Sequence, residues 1–161
     1  MAKKTNANAK KNWALPIAAA VVLLALLAVL LWPKPKAPET DDLTIPVSEI
    51  AETARFYPVT IDGTAMEVLA IRTAAGEIRT AFNTCQSCFD SGRGYYEADG
   101  TELVCQNCGF HFTAEEVGAS GRGGCNPWPI LPAEREETDD AIVIPHSVLA
   151  DAKDIFANWG K

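Results

Sequence analysis

The chain has 161 residues, is 48% hydrophobic and carries a formal net charge of −7. That charge is split. Lys3, Lys4, Lys10 and Lys11 precede residue 13, whereas beyond residue 32 ten basic residues stand against all 21 acidic ones, leaving −11. So acidic a region repels phosphate backbones, which argues against a nucleic-acid partner.

The first element in chain order is "WALPIAAAVVLLALLAVLLW", Trp13 to Trp32, 20 residues without a charge. At about 1.5 Å per residue a helix of this length spans about 30 Å, the thickness of a bilayer's hydrocarbon core. A tryptophan stands at each end, where indole rings prefer the headgroup region. Pro16 falls in the first turn, where its missing N–H costs little. The lysine excess before the run predicts a cytoplasmic tail over residues 1–12 and a transmembrane anchor over 13–32. The rest is then exported from the cytoplasmic membrane, with the N-terminus inside. A cleaved signal peptide is the rival reading. Its apolar stretch is about 7–15 residues, followed by a small-residue cleavage site, and "LWPKPKAP" offers none. No cysteine follows the run in a lipoprotein position. Residues 33–42, "PKPKAPETDD", read as a stiff spacer. Residues 43–156 then form one exported domain with a modest core.

That domain opens with "IPVSEIAE" (45–52) and nears its end with "IPHSVLAD" (144–151). Each predicts a short strand and then a serine, Ser48 or Ser147, capping a short helix. The likeness is either chance or two equivalent elements flanking one sheet. Between them "YPVTI" and "AMEVLAI" flank Asp62-Gly63, "AMEVLAI" and "EIRTAF" flank Ala75-Gly76, and "GYYEA" and "TELV" flank Asp99-Gly100. Asp-Gly between β-prone runs predicts a hairpin, because type I′ turns need positive φ. "VLAI" (68–71) does not alternate and suits a strand buried on both faces. The fold class expected is a small, mainly antiparallel β domain with little helix beyond the anchor and the two end elements. His146 reads as structural, and "EREETDD" (134–140) as a solvated loop.

All five cysteines lie in this domain. Cys85 and Cys88 are two residues apart; sixteen residues on come Cys105 and Cys108, also two apart; sixteen more lead to Cys125. Two Cys-x-x-Cys knuckles at this separation match the spacing of four-cysteine metal sites. A two-residue gap lets both sulfurs converge on one ion, and the Asp99-Gly100 hairpin brings the knuckles together. Such an S₄ cage at Cys85, Cys88, Cys105 and Cys108 suits zinc, iron or an iron–sulfur cluster. Structural disulfides are the alternative for an exported chain. But five is an odd count, and Cys-x-x-Cys pairs more often serve redox or metal chemistry than structure. "SGRG" occurs at 91–94 and again at 120–123. Its glycines could aim N–H groups at sulfur, and Arg93 and Arg122 could offset thiolate charge; ordinary loops are the equal alternative. His111, three residues after Cys108, is a further ligand candidate, with a hydrogen-bonding histidine as the blander reading.

"VCQNCGFHF" followed by "GGCNPWPILP" resembles the second half of a Rieske domain, and "VLAIRTAAGEIRTAFNTC" resembles the strands leading into a Rieske first knuckle. Rieske centres use one Cys and one His per knuckle, whereas both knuckles here are Cys-x-x-Cys. "AFNTCQSCFDSGRGYYEADGTELVCQNCG" with the later "GGCNP" is more closely similar to the FtrD-like membrane iron–sulfur family, over residues 43–156. The resemblance implies a membrane-anchored exported protein linked with an iron permease system. Cys125 belongs to that match. It is a spare thiol beside the site, a ligand replacing another cysteine, or a bridge to a second metal.

The function expected is electron transfer or metal handling for a membrane iron-transport system, through an iron–sulfur cluster or a single metal ion, iron or zinc. A structural zinc domain acting as a docking subunit and a thiol–disulfide oxidoreductase are the alternatives. No nucleophile–base pair or paired carboxylates stand out, so an enzyme is not expected.

Overall fold

The computed structural model describes residues 39–119 and 124–161. Among the described residues, ten strands form three antiparallel sheets, accompanied by one α-helix. The central sheet has four strands in the order β2-β3-β4-β8: β2 (Arg55–Ile61), β3 (Thr64–Arg72), β4 (Ile78–Cys85) and β8 (Pro127–Ile130). The β2–β3 hairpin turns at Asp62 (φ 48°) and Gly63 (φ 78°), both in the left-handed region, as a type I′ turn requires. The β3–β4 turn closes through Gly76 (φ 88°), whose N–H donates to Thr73 O.

Val68, Leu69, Ala70 and Ile71 of β3 are all fully buried, because the central sheet is covered on both faces. Val68 and Ala70 point into one core with Ile45, Ile142, Ile144, Leu149 and Phe156. Leu69 and Ile71 point into the other, with Ala81, Cys85, Tyr96, Leu103 and Cys105. The period of two along a strand makes this division automatic.

The first core is closed by the chain ends of the domain. Strand β1 (Leu43–Pro46) pairs with β10 (Ala141–Ile144), which also pairs with β9 (Glu136–Glu137). The two similar segments therefore pair with each other, Ile45 opposite Ile142. Each strand leads into a helical turn, a 3-10 turn at Val47–Glu49 and α1 at His146–Asp151. The expected serine caps are not made. Pro46 and Pro145 hold the N-cap positions with φ near −60°, and Ser48 and Ser147 fall inside the turns. The expected solvated loop at 134–140 is also revised. Arg135 is buried, donating to Thr80 Oγ1, Ile78 O and Glu137 Oε2, and Glu136–Glu137 is a sheet edge.

The second core is closed by β5 (Tyr96–Asp99), β6 (Glu102–Cys105) and β7 (His111–Thr113). The β5–β6 turn differs from the expected type I′. Asp99 pairs with Glu102, and Gly100 (φ 63°) takes positive φ at the first central position, as in type II′ turns. Among the described residues no helix is long and apolar enough to cross a membrane; the expected anchor at 13–32 lies outside them.

Candidate metal centre

Both knuckles begin where a strand ends. Strand β4 runs against β8 in regular register to Phe82, opposite Trp128, and then slips so that Cys85 faces Pro127. Such an irregularity bends a strand end and re-aims its side chains. Past Cys85 the chain turns back, Cys88 N–H donating to Cys85 O at 3.2 Å. A 3-10 turn, Phe89–Ser91, follows and stops at Gly92 in the left-handed conformation. This knuckle is clamped from two directions: Cys85 N–H donates to Gly94 O, and Gln86 N–H donates to Asn126 O at 3.1 Å.

The second knuckle leaves β6 at Cys105. Gly109 N–H donates to Cys105 O at 2.8 Å, and Cys105 N–H donates to Phe110 O at 3.0 Å. Gly109 sits at φ 72°, so the chain can reverse into β7. The two knuckles meet through β5: Tyr96 pairs with Cys105, and Gln106 N–H donates to Tyr95 O.

Cys125 arrives from a third segment, ahead of β8. Asn126 fixes it, accepting from Gln86 N–H and donating through Nδ2 to Glu116 O at 2.8 Å. The sulfurs of Cys85, Cys88, Cys105 and Cys125 all lie within 4.8 Å of one another. Cys125 Sγ is 3.4 Å from Cys85 Sγ and 2.9 Å from Cys108 Sγ. Cys85 and Cys105 are buried, Cys88 and Cys125 half-buried, and Cys108 is exposed.

The thiols perturb one another. Burial opposes ionisation of Cys85, but Tyr96, the Ser87 backbone and the neighbouring thiols outweigh it and lower its pKa. Burial pushes Cys105 up to about 12, against the opposing Cys108 and Asn107 backbone donors. Cys125 is pushed up by burial and by the sulfurs of Cys108 and Cys85 on either side. Cys88 is raised, chiefly by burial. At Cys108 slight burial is outweighed by the Cys125 thiol and the Phe110 backbone, and its pKa falls. A cluster of thiols cannot shed every proton unaided; a bound cation removes that obstacle.

The residues fit such a group. A tetrahedral ion with 2.3 Å bonds to sulfur needs sulfurs about 3.8 Å apart, and a modest rearrangement of four thiols within 4.8 Å supplies that. Tyr96 adds a second sign. Its side chain is fully buried and its hydroxyl makes no hydrogen bond of standard geometry, yet it lies close enough to Cys85 to lower that thiol's pKa. A thiolate there would accept that O–H. A buried polar group without a partner is costly unless something completes it.

A family model described as membrane iron-sulfur containing protein FtrD-like matches residues 50–156. The chain belongs to this family. Comparisons with curated proteins and with solved structures find no match. The four-cysteine cluster of this FtrD-like domain fits an iron–sulfur cluster or a single metal ion as its cofactor.

Of the other residues singled out from the sequence, Arg93 and His111 lie beside the second knuckle. His111 projects from β7, and its Nδ1 lies 2.8 Å from Glu102 Oε2 across the sheet. Arg93 donates to Gln106 O at 3.2 Å, so it braces the second knuckle's backbone. Arg122 lies outside the described residues. His146 donates its N–H to Asp42 Oδ1, and its Nδ1 lies 3.1 Å from Thr40 O.

Asn83, Tyr96 and Asn126, which stand behind the centre, were not singled out from the sequence. Asn83 is fully buried. Its Oδ1 accepts from Tyr96 N–H at 2.7 Å and its Nδ2 donates to Glu67 Oε2 at 2.6 Å. Its backbone O accepts from Trp159 Nε1 at 2.9 Å. Asn83 thus ties β4 and β5 together just ahead of Cys85, which positions Tyr96. Asn126 does the same for Cys125. An asparagine inside an otherwise apolar strand, "TAFNTC", was the one local signal available.

Proposed function

We propose that this FtrD-like chain is a membrane-anchored, extracytoplasmic metal protein of the iron–sulfur type. It would serve electron transfer or metal handling for a membrane iron-transport system, with an iron permease complex as partner. The observation that carries the reading is the convergence of four thiols from three chain segments. When bound, an iron–sulfur centre supplies reversible one-electron chemistry. Cys85, Cys88 and Cys105 would hold it, with the fourth sulfur drawn from the touching pair Cys108 and Cys125. Leu69, Ala81 and Leu103 form an apolar core with Cys85 and Cys105, so the inner side of the centre stays dry. Cys108 and Phe110, 63% exposed, mark the outer side, where a partner could approach. The anchor over 13–32 and the lysines before it support an N-terminus-inside topology. The proposed role needs no catalytic residue.

Anaerobically purified full-length chain, assayed for metal and acid-labile sulfide and scanned by absorption, tests this. Iron with sulfide and a brown colour support it. A colourless protein holding one zinc would favour the second reading, a structural docking subunit; the compactness of the four sulfurs is the observation on its side. Neither metal would end both. Topology is tested separately: membrane-extracted protein whose sequence begins after residue 32 would remove the anchor.

A further inference from the structure

Five thiols surround a centre that four can complete, and the structure distinguishes the fifth. We propose that Cys125 is the fourth sulfur ligand and that Cys108 stays outside the centre as a free, solvent-facing thiol at its rim. The inference rests on the metal-binding reading above.

Position separates the two. Cys125 belongs to the group of four sulfurs that are all within 4.8 Å of one another, and it touches Cys85 at 3.4 Å. Its place is fixed by long-range ties to the first knuckle. Pro127 pairs with Cys85, Gln86 Nε2 donates to Pro127 O at 3.2 Å, and Asn126 bonds both Gln86 and Glu116. Cys108 has local ties within its knuckle and no comparable long-range hold. It precedes Gly109 and the exposed Phe110 and is held only within the thiol cluster and its own knuckle: its sulfur lies 2.9 Å from Cys125 and also bonds the Cys105 and Cys88 thiols. Its side chain faces water, whereas Cys125 is half-buried. A ligand sulfur is best supplied by a residue whose backbone is already held, because little ordering entropy remains to be lost on binding. The same exposure makes Cys108 the thiol open to alkylating reagents, and burial together with coordination shields the rest.

The test uses full-length protein purified anaerobically with its metal in place. It is treated briefly with iodoacetamide, then denatured, stripped and mapped by mass spectrometry. One alkylated cysteine, at Cys108, is the expected result. Alkylation of Cys125 with Cys108 protected overturns the assignment but leaves the metal reading standing. Protection of all five also overturns it, since every sulfur would then be engaged. Rapid alkylation of all five overturns the metal reading itself. Variants give a second readout. Cys108→Ser should retain the wild-type metal-to-protein ratio, and Cys125→Ser should lose about tenfold or more of it. If Cys125→Ser fails to fold, the mapping on the wild-type chain still decides.

Discussion

The two Cys-x-x-Cys knuckles have the same spacing and different surroundings. The first follows a strand buried on both sides and is gripped by Gly94, shortly past the knuckle, and by Asn126 from a segment well removed in the chain. The second closes a small three-stranded sheet and is held mainly by its own hairpin, through Gly109 and Phe110. Their outer cysteines differ accordingly: Cys88 is half-buried and Cys108 exposed. The same Cys-x-x-Cys spacing therefore yields an inner knuckle whose sulfurs are placed by the whole fold and an outer one that is partly free. Cys125 completes the inner side.

The largest effect is expected from Cys85→Ser, at the base of the inner knuckle. It should abolish metal binding and, because metal sites of this type contribute about 10 kcal/mol to folding, lower the melting temperature sharply. Cys88→Ser should also lose metal but disturb the core less, since Cys88 lies nearer the surface. Metal analysis with thermal melts separates the two.

Glycine substitutions sharpen the contrast with a smaller effect. A Cβ at Gly94 would run into the Cys88 carbonyl group, so Gly94→Ala must shift the first knuckle. A Cβ at Gly109 meets nothing within 4 Å, and only its φ of +72° resists. Overpacking costs about 1–3 kcal/mol and left-handed backbone about 1–2 kcal/mol. Gly94→Ala should therefore reduce metal content as well as stability, whereas Gly109→Ala should reduce stability alone. Equal metal loss in both would erase the distinction between the knuckles.

Tyr96→Phe probes the donor behind the inner knuckle. The metal-loaded protein should lose about 1.5–3 kcal/mol, the worth of a hydrogen bond to a charged acceptor, whereas the metal-free protein should change little or gain. In an iron–sulfur form the midpoint potential should also fall, because a donor to sulfur favours the reduced state. Denaturant melts with and without metal, and a redox titration, read these out. The smallest effect belongs to the outer side. His111→Ala removes an exposed cross-strand contact to Glu102, worth about 0.5 kcal/mol, and should leave the absorption spectrum unchanged. A changed spectrum would place an imidazole on the metal.

Much of this was legible in local sequence. The hairpins at Asp62-Gly63 and Asp99-Gly100, the buried run Val68 to Ile71 and the two knuckles are set by neighbours within a few residues. They depend on which residues tolerate positive φ, on side-chain period and on a two-residue gap between sulfurs. The same signals misplaced the caps at Ser48 and Ser147, because a proline just ahead already fixed the helix start. They also left Arg135 in solvent, because a charged run reads as exposed until Thr80 and Ile78 supply its partners from 55 and 57 residues away.

The number and spacing of the thiols, the antiparallel β character and the split of charge between tail and domain are all readable along the chain. Each is a matter of composition or of contacts along the chain. It takes the folded chain to bring Cys125, 40 residues from Cys85, to 3.4 Å from it. Only there does Tyr96 stand behind the sulfurs with Asn83 bracing it. Such placements follow from the register between β4 and β8 and from packing on one chosen face of a sheet. A one-residue slip would send every one of those side chains to the opposite face, and no local signal specifies it.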